Sequence, residues 1–232
     1  GIELSVGSAE HLEMSFLKKI KEVCALLNAS YYSDHFAFTR LGETHLGHLS
    51  PIWFTQEALG IVIDKVNQVQ DFLGIPLALE NITSGFDIPL SDMTESEFIT
   101  EVCRRTQCGL LLDITNVHIN AYNRRNNPYS FLEGLPLDHV IQVHLAGGVI
   151  RNNLFHDTHS QELRGANEGV WPLLEWVLPR TKNLKAIIIE RDENFKDSFE
   201  EMFEADITRA RGLVMQCAPF LQTPLSDHPD LR

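Results

Sequence analysis

Five short apolar runs in this chain close on residues that can bind a metal. SDHFAF carries His35, PLALEN carries Glu80, GLLLDITN carries Asp113 and Asn116, VIQVHLAGG carries His144, and AIIIERD carries Glu190. A loop, HDTHS, lies between the last two runs and adds Asp157 and His159. An apolar strand that ends in a His or a carboxylate is how a (β/α)8 barrel presents its active site, at the C-terminal ends of its strands. One such ending carries little weight. A series in chain order, all of metal-ligand type, points to a polynuclear metal site.

The stretches between the runs read as helices. HLEMSFLKKIKEVCALLN spaces its apolar residues at three and four. TQEALGIVIDKVNQVQDFLG starts at an N-capping Thr55 and closes at Gly74. TESEFITEVCRRTQ places Glu97 three residues after Thr94, the spacing of a capping box. Short helices are expected around PYSFLEGL and VWPLLEWVLPR, and a longer one over DSFEEMFEADITRARGLV. Strand alternating with helix predicts a parallel sheet with crossover helices. Counting IELSV at the start as a strand fragment gives six strands, where a closed barrel needs eight. The expectation is therefore an α/β, TIM-like barrel that lacks about two N-terminal strands, with an open α/β sheet as the alternative. One domain is expected over residues 1–215, followed by a loose proline-bearing tail over 216–232.

Charge and composition narrow the partners. Nineteen basic against 32 acidic residues give a net charge of -13, which repels phosphate backbones and argues against nucleic acid. No apolar stretch approaches the roughly 18 residues of a membrane helix. The start, GIELSVGSAEH, lacks the regions of a signal peptide. Cys24, Cys103, Cys108 and Cys217 show no zinc spacing and are read as reduced thiols, so a cytoplasmic location is expected.

Imidazoles and carboxylates without thiolates suit iron, manganese or zinc rather than copper(I) or an iron–sulfur cluster. A carboxylate such as Glu80 can bridge two ions, and Asp157 and His159 can reach one ion from an extended loop. The other histidines are read more plainly. His118 is expected to pack. His45 and His48, in THLGHL, are expected at the surface just ahead of a helix.

In combination, SDHFAF, LEN, RTQCGLLLDITNV, LPLDHVIQVHLAGG, DTHS and ERDENF resemble the multinuclear non-heme iron-dependent oxidative enzymes. That (β/α)8 family includes the oxidase of methanobactin biosynthesis. The resemblance runs from LSVGS to the last helix. It implies that His35 and Glu80 bind one iron, with Glu80 shared. It implies that Asp113, His144 and Glu190 bind a second, and that Asn116, Asp157 and His159 hold a more labile third. Glu80 and Asp113 are read as catalytic as well as metal-binding. Members of the family usually carry a further His just before the glycine that corresponds to Gly1, together with two earlier strands. A chain without them agrees with the strand count and would leave barrel edges open to pairing with another chain.

The activity implied is an O2-dependent oxidation at a mixed-valent di- or tri-iron site, with zinc, manganese or magnesium as possible substitutes. The substrate implied is a ribosomally made precursor peptide, usually modified at cysteine and often presented by a partner protein. Two other readings compete. One is a divalent-metal isomerase or hydrolase of the xylose isomerase or endonuclease IV type. The other is a non-catalytic metal-binding fragment.

Overall fold

The computed structural model describes residues 3–42, 44–192 and 199–217. Its centre is a five-stranded sheet of β1 (Tyr32–His35), β4 (Leu77–Glu80), β5 (Gly109–Asp113), β6 (Val140–Leu145) and β9 (Ala186–Ile189). The strands lie in chain order and every neighbouring pair is parallel. Helices α1 (Met14–Leu26), α2 (Gln56–Leu73), α3 (Glu95–Thr106), α4 (Ile114–Arg124), α5 (Pro128–Glu133), α6 (Val170–Val177) and α7 (Phe199–Cys217) accompany it. This is the α/β layout expected of a TIM-type barrel. Among the described residues the sheet does not close: β1 pairs only with β4 and β9 only with β6.

Local chemistry fixes the helix ends where the sequence placed them. The Thr55 hydroxyl accepts the Ala58 amide at 3.2 Å, and Gly74 ends α2 at φ +75. Thr94 and Glu97 form the full capping box of α3. Each satisfies backbone groups that a helix end leaves unpaired.

The two sheet faces differ. Leu77, Leu79, Leu110, Leu112, Val143 and Leu145 are fully buried against helices, including Val62, Val66 and Val69 of α2 and Phe98 and Val102 of α3. Burying each such side chain contributes about 1.5–3 kcal/mol. The other face is the inner face of the barrel arc. It carries a small cluster of Ala78, Leu111 and Ile141 with Tyr31 against it, while Ile188 on β9 is 41% exposed.

Three expectations need correction. SDHFAFT is not one strand. The chain bends at the buried Phe36, whose amide donates to Glu80 O at 2.8 Å, and then forms a hairpin of β2 (Ala37–Leu41) with β3 (Thr44–Pro51). His45 and His48 therefore lie on β3 rather than just ahead of a helix, although they are exposed as expected. IELSV shows no strand over its described residues. The Leu4 amide is taken by the Asp34 carboxylate and Ser5 sits at φ 50, so side chains rather than a ladder hold this segment. Of the expected tail over 216–232, Gln216 and Cys217 end α7, and residues 218–232 lie outside the described residues. A second hairpin, β7 (Val149–Arg151) with β8 (Leu154–His156), also follows a site strand. Its turn residues Asn152 and Asn153 sit at φ 52 and 61, the left-handed pair that a tight hairpin requires.

Candidate metal centre

Register brings the strand ends level. His35 lies opposite Glu80, and Asp113 lies opposite His144. Glu190 follows Ile189, the partner of Leu145, and its amide donates to Leu145 O at 2.8 Å. Because side chains alternate along a strand, these residues share the inner face with Ala78, Leu111 and Gln142.

The side chains form one connected array. Glu80 presents Oε2 to His35 Nε2 at 3.2 Å and Oε1 to His144 Nδ1 at 3.1 Å. His144 Nδ1 is also 3.3 Å from Glu190 Oε1. The other Glu190 oxygen is 3.3 Å from His159 Nδ1, and His159 Nε2 is 2.9 Å from Asp157 Oδ1. One ligand atom each from Glu80, Asp113, His144 and Glu190 lies within 4.8 Å of the others. His35 joins this group through Glu80, and His159 and Asp157 join through Glu190. Asn116 stands apart from these side-chain contacts, on the first turn of α4. Its amide N–H reaches Asp113 Oδ1 at 2.8 Å.

Two buried oxygens here have no hydrogen-bond partner: Asp113 Oδ2, within the array, and Asn116 Oδ1 beside it. A buried acceptor left unpaired is destabilising by about 1–3 kcal/mol, more if charged. Asn116 Nδ2 donates to Asn81 O at 2.9 Å, which leaves the amide oxygen as the free atom. A cation would satisfy an oxygen of this kind, and the oxygen and nitrogen donors suit a hard or borderline divalent ion.

The electrostatics agree. Burial, then the nearby Glu80 carboxylate, pushes the Asp113 carboxyl well above its ordinary range. The Asp157 carboxylate raises His159 to about 9 against the opposing effect of burial. Burial works against the charged form of His35, but Asp34 and Glu80 outweigh it and raise its pKa. Crowded carboxylates of this kind either hold protons or hold cations.

The residues of the array rest on clamps that are not evident in the sequence. Asn81 accepts the Asp113 amide and donates to its carbonyl, both at 2.9 Å. Thr115 Oγ1 bonds both polar backbone groups of Ala146, and Asn167 does the same for Gly148. Loop 157–161 is tied to Gly147 O by the amides of Ser160 and Gln161, and the Asp192 amide donates to His159 O. Gln142 contacts His144 Nε2 from below, two residues earlier on the same strand, and Tyr31 holds Gln142. Period-two spacing from His144 was the signal that could have marked Gln142. His118 packs edge-on against Phe155 and bonds Ala166 O, outside the array, as expected.

Residues 1–213 match the family model described as "RiPP precursor modification enzyme MbnB/TglH/ChrH", RiPP denoting a ribosomally made and later modified peptide. The chain belongs to this family. A UPF0276 protein of Caulobacter vibrioides is 35% identical over 211 residues, covering 91% of this chain and 74% of the relative. One from Shewanella oneidensis is 36% identical over 195 residues, covering 84% and 68%. The match to a UPF0276 protein of Acaryochloris marina spans 64% of that relative.

Solved structures show the same architecture. A xylose isomerase-like TIM barrel from Mycobacterium smegmatis, solved with magnesium, aligns with TM-score 0.56 at 11% identity, over 88% of this chain and 67% of that one. The 3-keto-D-glucoside 4-epimerase of E. coli aligns with TM-score 0.56 at 15% identity, over 93% and 76%. Likeness at this identity establishes the TIM-barrel fold alone. Among the described residues no helix is long and apolar enough to cross a membrane.

Proposed function

We propose that this chain carries the metal site of an iron- and O2-dependent oxidase that modifies a cysteine-containing, ribosomally made peptide. The observation that carries the reading is the array from His35 to Asp157 with the buried, unpartnered Asp113 Oδ2 within it, in a chain of a peptide-modifying family. His35, Glu80, Asp113, Asn116, His144, Asp157, His159 and Glu190 are the proposed ligands. Iron held there would supply the electron-transfer chemistry with O2 that side chains lack.

The residues have separable tasks. Glu80, with one oxygen toward His35 and one toward His144, is the proposed shared ligand. Asp113, buried and unpaired at Oδ2, supplies the negative charge at the bottom of the site. Asp157 and His159 come from a loop hung on Gly147, so they form the part of the site that can exchange an ion. The hairpins β2–β3 and β7–β8 follow β1 and β6 in the chain, after the strand ends that carry His35 and His144, and are the proposed contact for the peptide. The proposed peptide is presented by a partner protein.

Anaerobic loading with iron-57, followed by elemental analysis and Mössbauer spectroscopy, tests the metal. More than one iron per chain, partly as a coupled mixed-valent pair, is the expected result. Loading with one ion or none would overturn it and leave a non-catalytic fragment as the reading. The second reading, a divalent-metal isomerase or hydrolase, draws on the likeness to the magnesium-bound barrel. Binding of magnesium, manganese or zinc in preference to iron, with no redox change, would select it.

A further inference from the structure

We propose that Gln142, held by Tyr31, is a positioning residue that supplies the acceptor for His144 Nε2–H and so leaves Nδ1 free to bind a cation. The inference rests on the metal reading above and concerns a residue outside the proposed ligand set.

The geometry is a three-member chain on the inner face of the sheet. The Tyr31 hydroxyl donates to Gln142 Oε1, and Gln142 Nε2 lies against His144 Nε2. His144 Nδ1 faces the carboxylates, 3.1 Å from Glu80 Oε1 and 3.3 Å from Glu190 Oε1. The two ring nitrogens thus have separate neighbourhoods, an amide for Nε2 and the carboxylate cluster for Nδ1. Gln142 and His144 are 5% and 6% exposed, so water does not easily replace either partner.

A neutral imidazole has one N–H donor and one lone pair. With Gln142 Nε2 as donor, His144 Nε2 accepts and the ring proton sits on Nδ1, directed at Glu80 and Glu190. A cation on Nδ1 requires the other tautomer, in which Nε2 carries the proton and needs an acceptor. The same carboxamide supplies one by turning over, with Oε1 toward His144 and Nε2 toward the Tyr31 oxygen. The hydroxyl can serve in either sense, since it both donates and accepts. A side chain without an acceptor at position 142 would leave the Nε2–H buried and unpaired in the cation-bound arrangement. Groups that orient a ligating imidazole typically change metal affinity by about 10–100-fold when removed.

The test uses Co2+ as probe, titrated anaerobically and followed by its visible absorption, on the wild-type chain and on Gln142→Met and Gln142→Glu. Gln142→Met is expected to bind about 10–100-fold more weakly, whereas Gln142→Glu, which still accepts from Nε2–H, stays within about threefold of wild type. In parallel, 15N-histidine-labelled wild-type protein loaded with Zn2+ is expected to show His144 protonated at Nε2 with the metal on Nδ1. Equal Co2+ affinity in Gln142→Met, or a spectrum placing zinc on Nε2, would overturn the inference while leaving the metal reading intact. A wild-type chain that takes up neither ion would remove the metal reading itself. If Gln142→Met does not fold, as judged by circular dichroism, the tautomer measured in the wild-type protein decides alone.

Discussion

Asp113 accepts the Asn116 amide at 2.8 Å through one carboxylate oxygen and leaves the other buried without a partner. The first oxygen is the N-cap of α4 and the second is the proposed ligand. Replacing the residue can separate the two roles. Asp113→Asn keeps a capping oxygen and removes the charge, so stability in the presence of chelator is expected to hold or rise. Its metal content is expected to fall by at least one ion per chain. Asp113→Ala should lose about 1 kcal/mol of stability as well, through the lost cap. Urea melts paired with elemental analysis check this. Full metal retention in Asp113→Asn would rule out the ligand role.

Glu80→Gln is expected to abolish the coupled metal pair. The substitution keeps the size of the side chain but removes the charge that lets one carboxylate serve both His35 and His144. Electron paramagnetic resonance of the iron-loaded variant is the measurement. A coupled signal as strong as in wild type would show that another residue bridges.

Gly147→Ala tests the loop. A Cβ at this position would stand 2.0 Å from the carbonyl oxygen of Gln161 and 2.5 Å from its carbon, both backbone atoms that cannot swing aside. Loop 157–161 must therefore shift and carry Asp157 and His159 with it. The expected outcome is loss of the most labile ion, with retention of those held by Glu80, Asp113 and His144. Metal content after graded chelator treatment reports this, and unchanged release kinetics would count against a loop-bound ion.

Lys65 gives a pH prediction. Its ammonium is buried beneath residues 5–8 and donates to Ser5 O, Ser8 O and Ser8 Oγ, and burial lowers its pKa to about 8 from 10.5. Between those values the folded chain holds fewer protons than the unfolded chain, so this residue makes stability rise with pH across that window. Below about 8 both states are charged and the contribution is flat. Lys65→Met should remove this rise. Urea midpoints of the two proteins from pH 7 to 10.5 should diverge in slope only above about 8. Parallel curves throughout would mean that Lys65 titrates normally.

Much of the framework was legible because it is periodic. Apolar runs of strand length gave the five sheet strands, and caps such as Thr55 and Thr94 gave the helix starts. The strand count also fell short of a closed barrel, and among the described residues the sheet does not close. The hairpins escaped because β2 reads on from β1, and only the bend at Phe36, set by its bond to Glu80 O, separates them. At the site, acidic and imidazole ends of strands announced themselves. Asn81, Thr115 and Asn167 did not, because each acts by bonding backbone groups of a neighbouring segment, and sequence does not show which segments are neighbours.

Those clamps have a consequence for how such a site can diversify. Asn81, Thr115 and Asn167 grip the main chain of Asp113, Ala146 and Gly148, so the spacing of the strand ends depends little on the side chains that the ends display. A ligand can then be exchanged for another without moving the backbone that presents it. The same frame could pass from one metal complement or substrate to another by single replacements at the tips, with the asparagines left as its fixed joints.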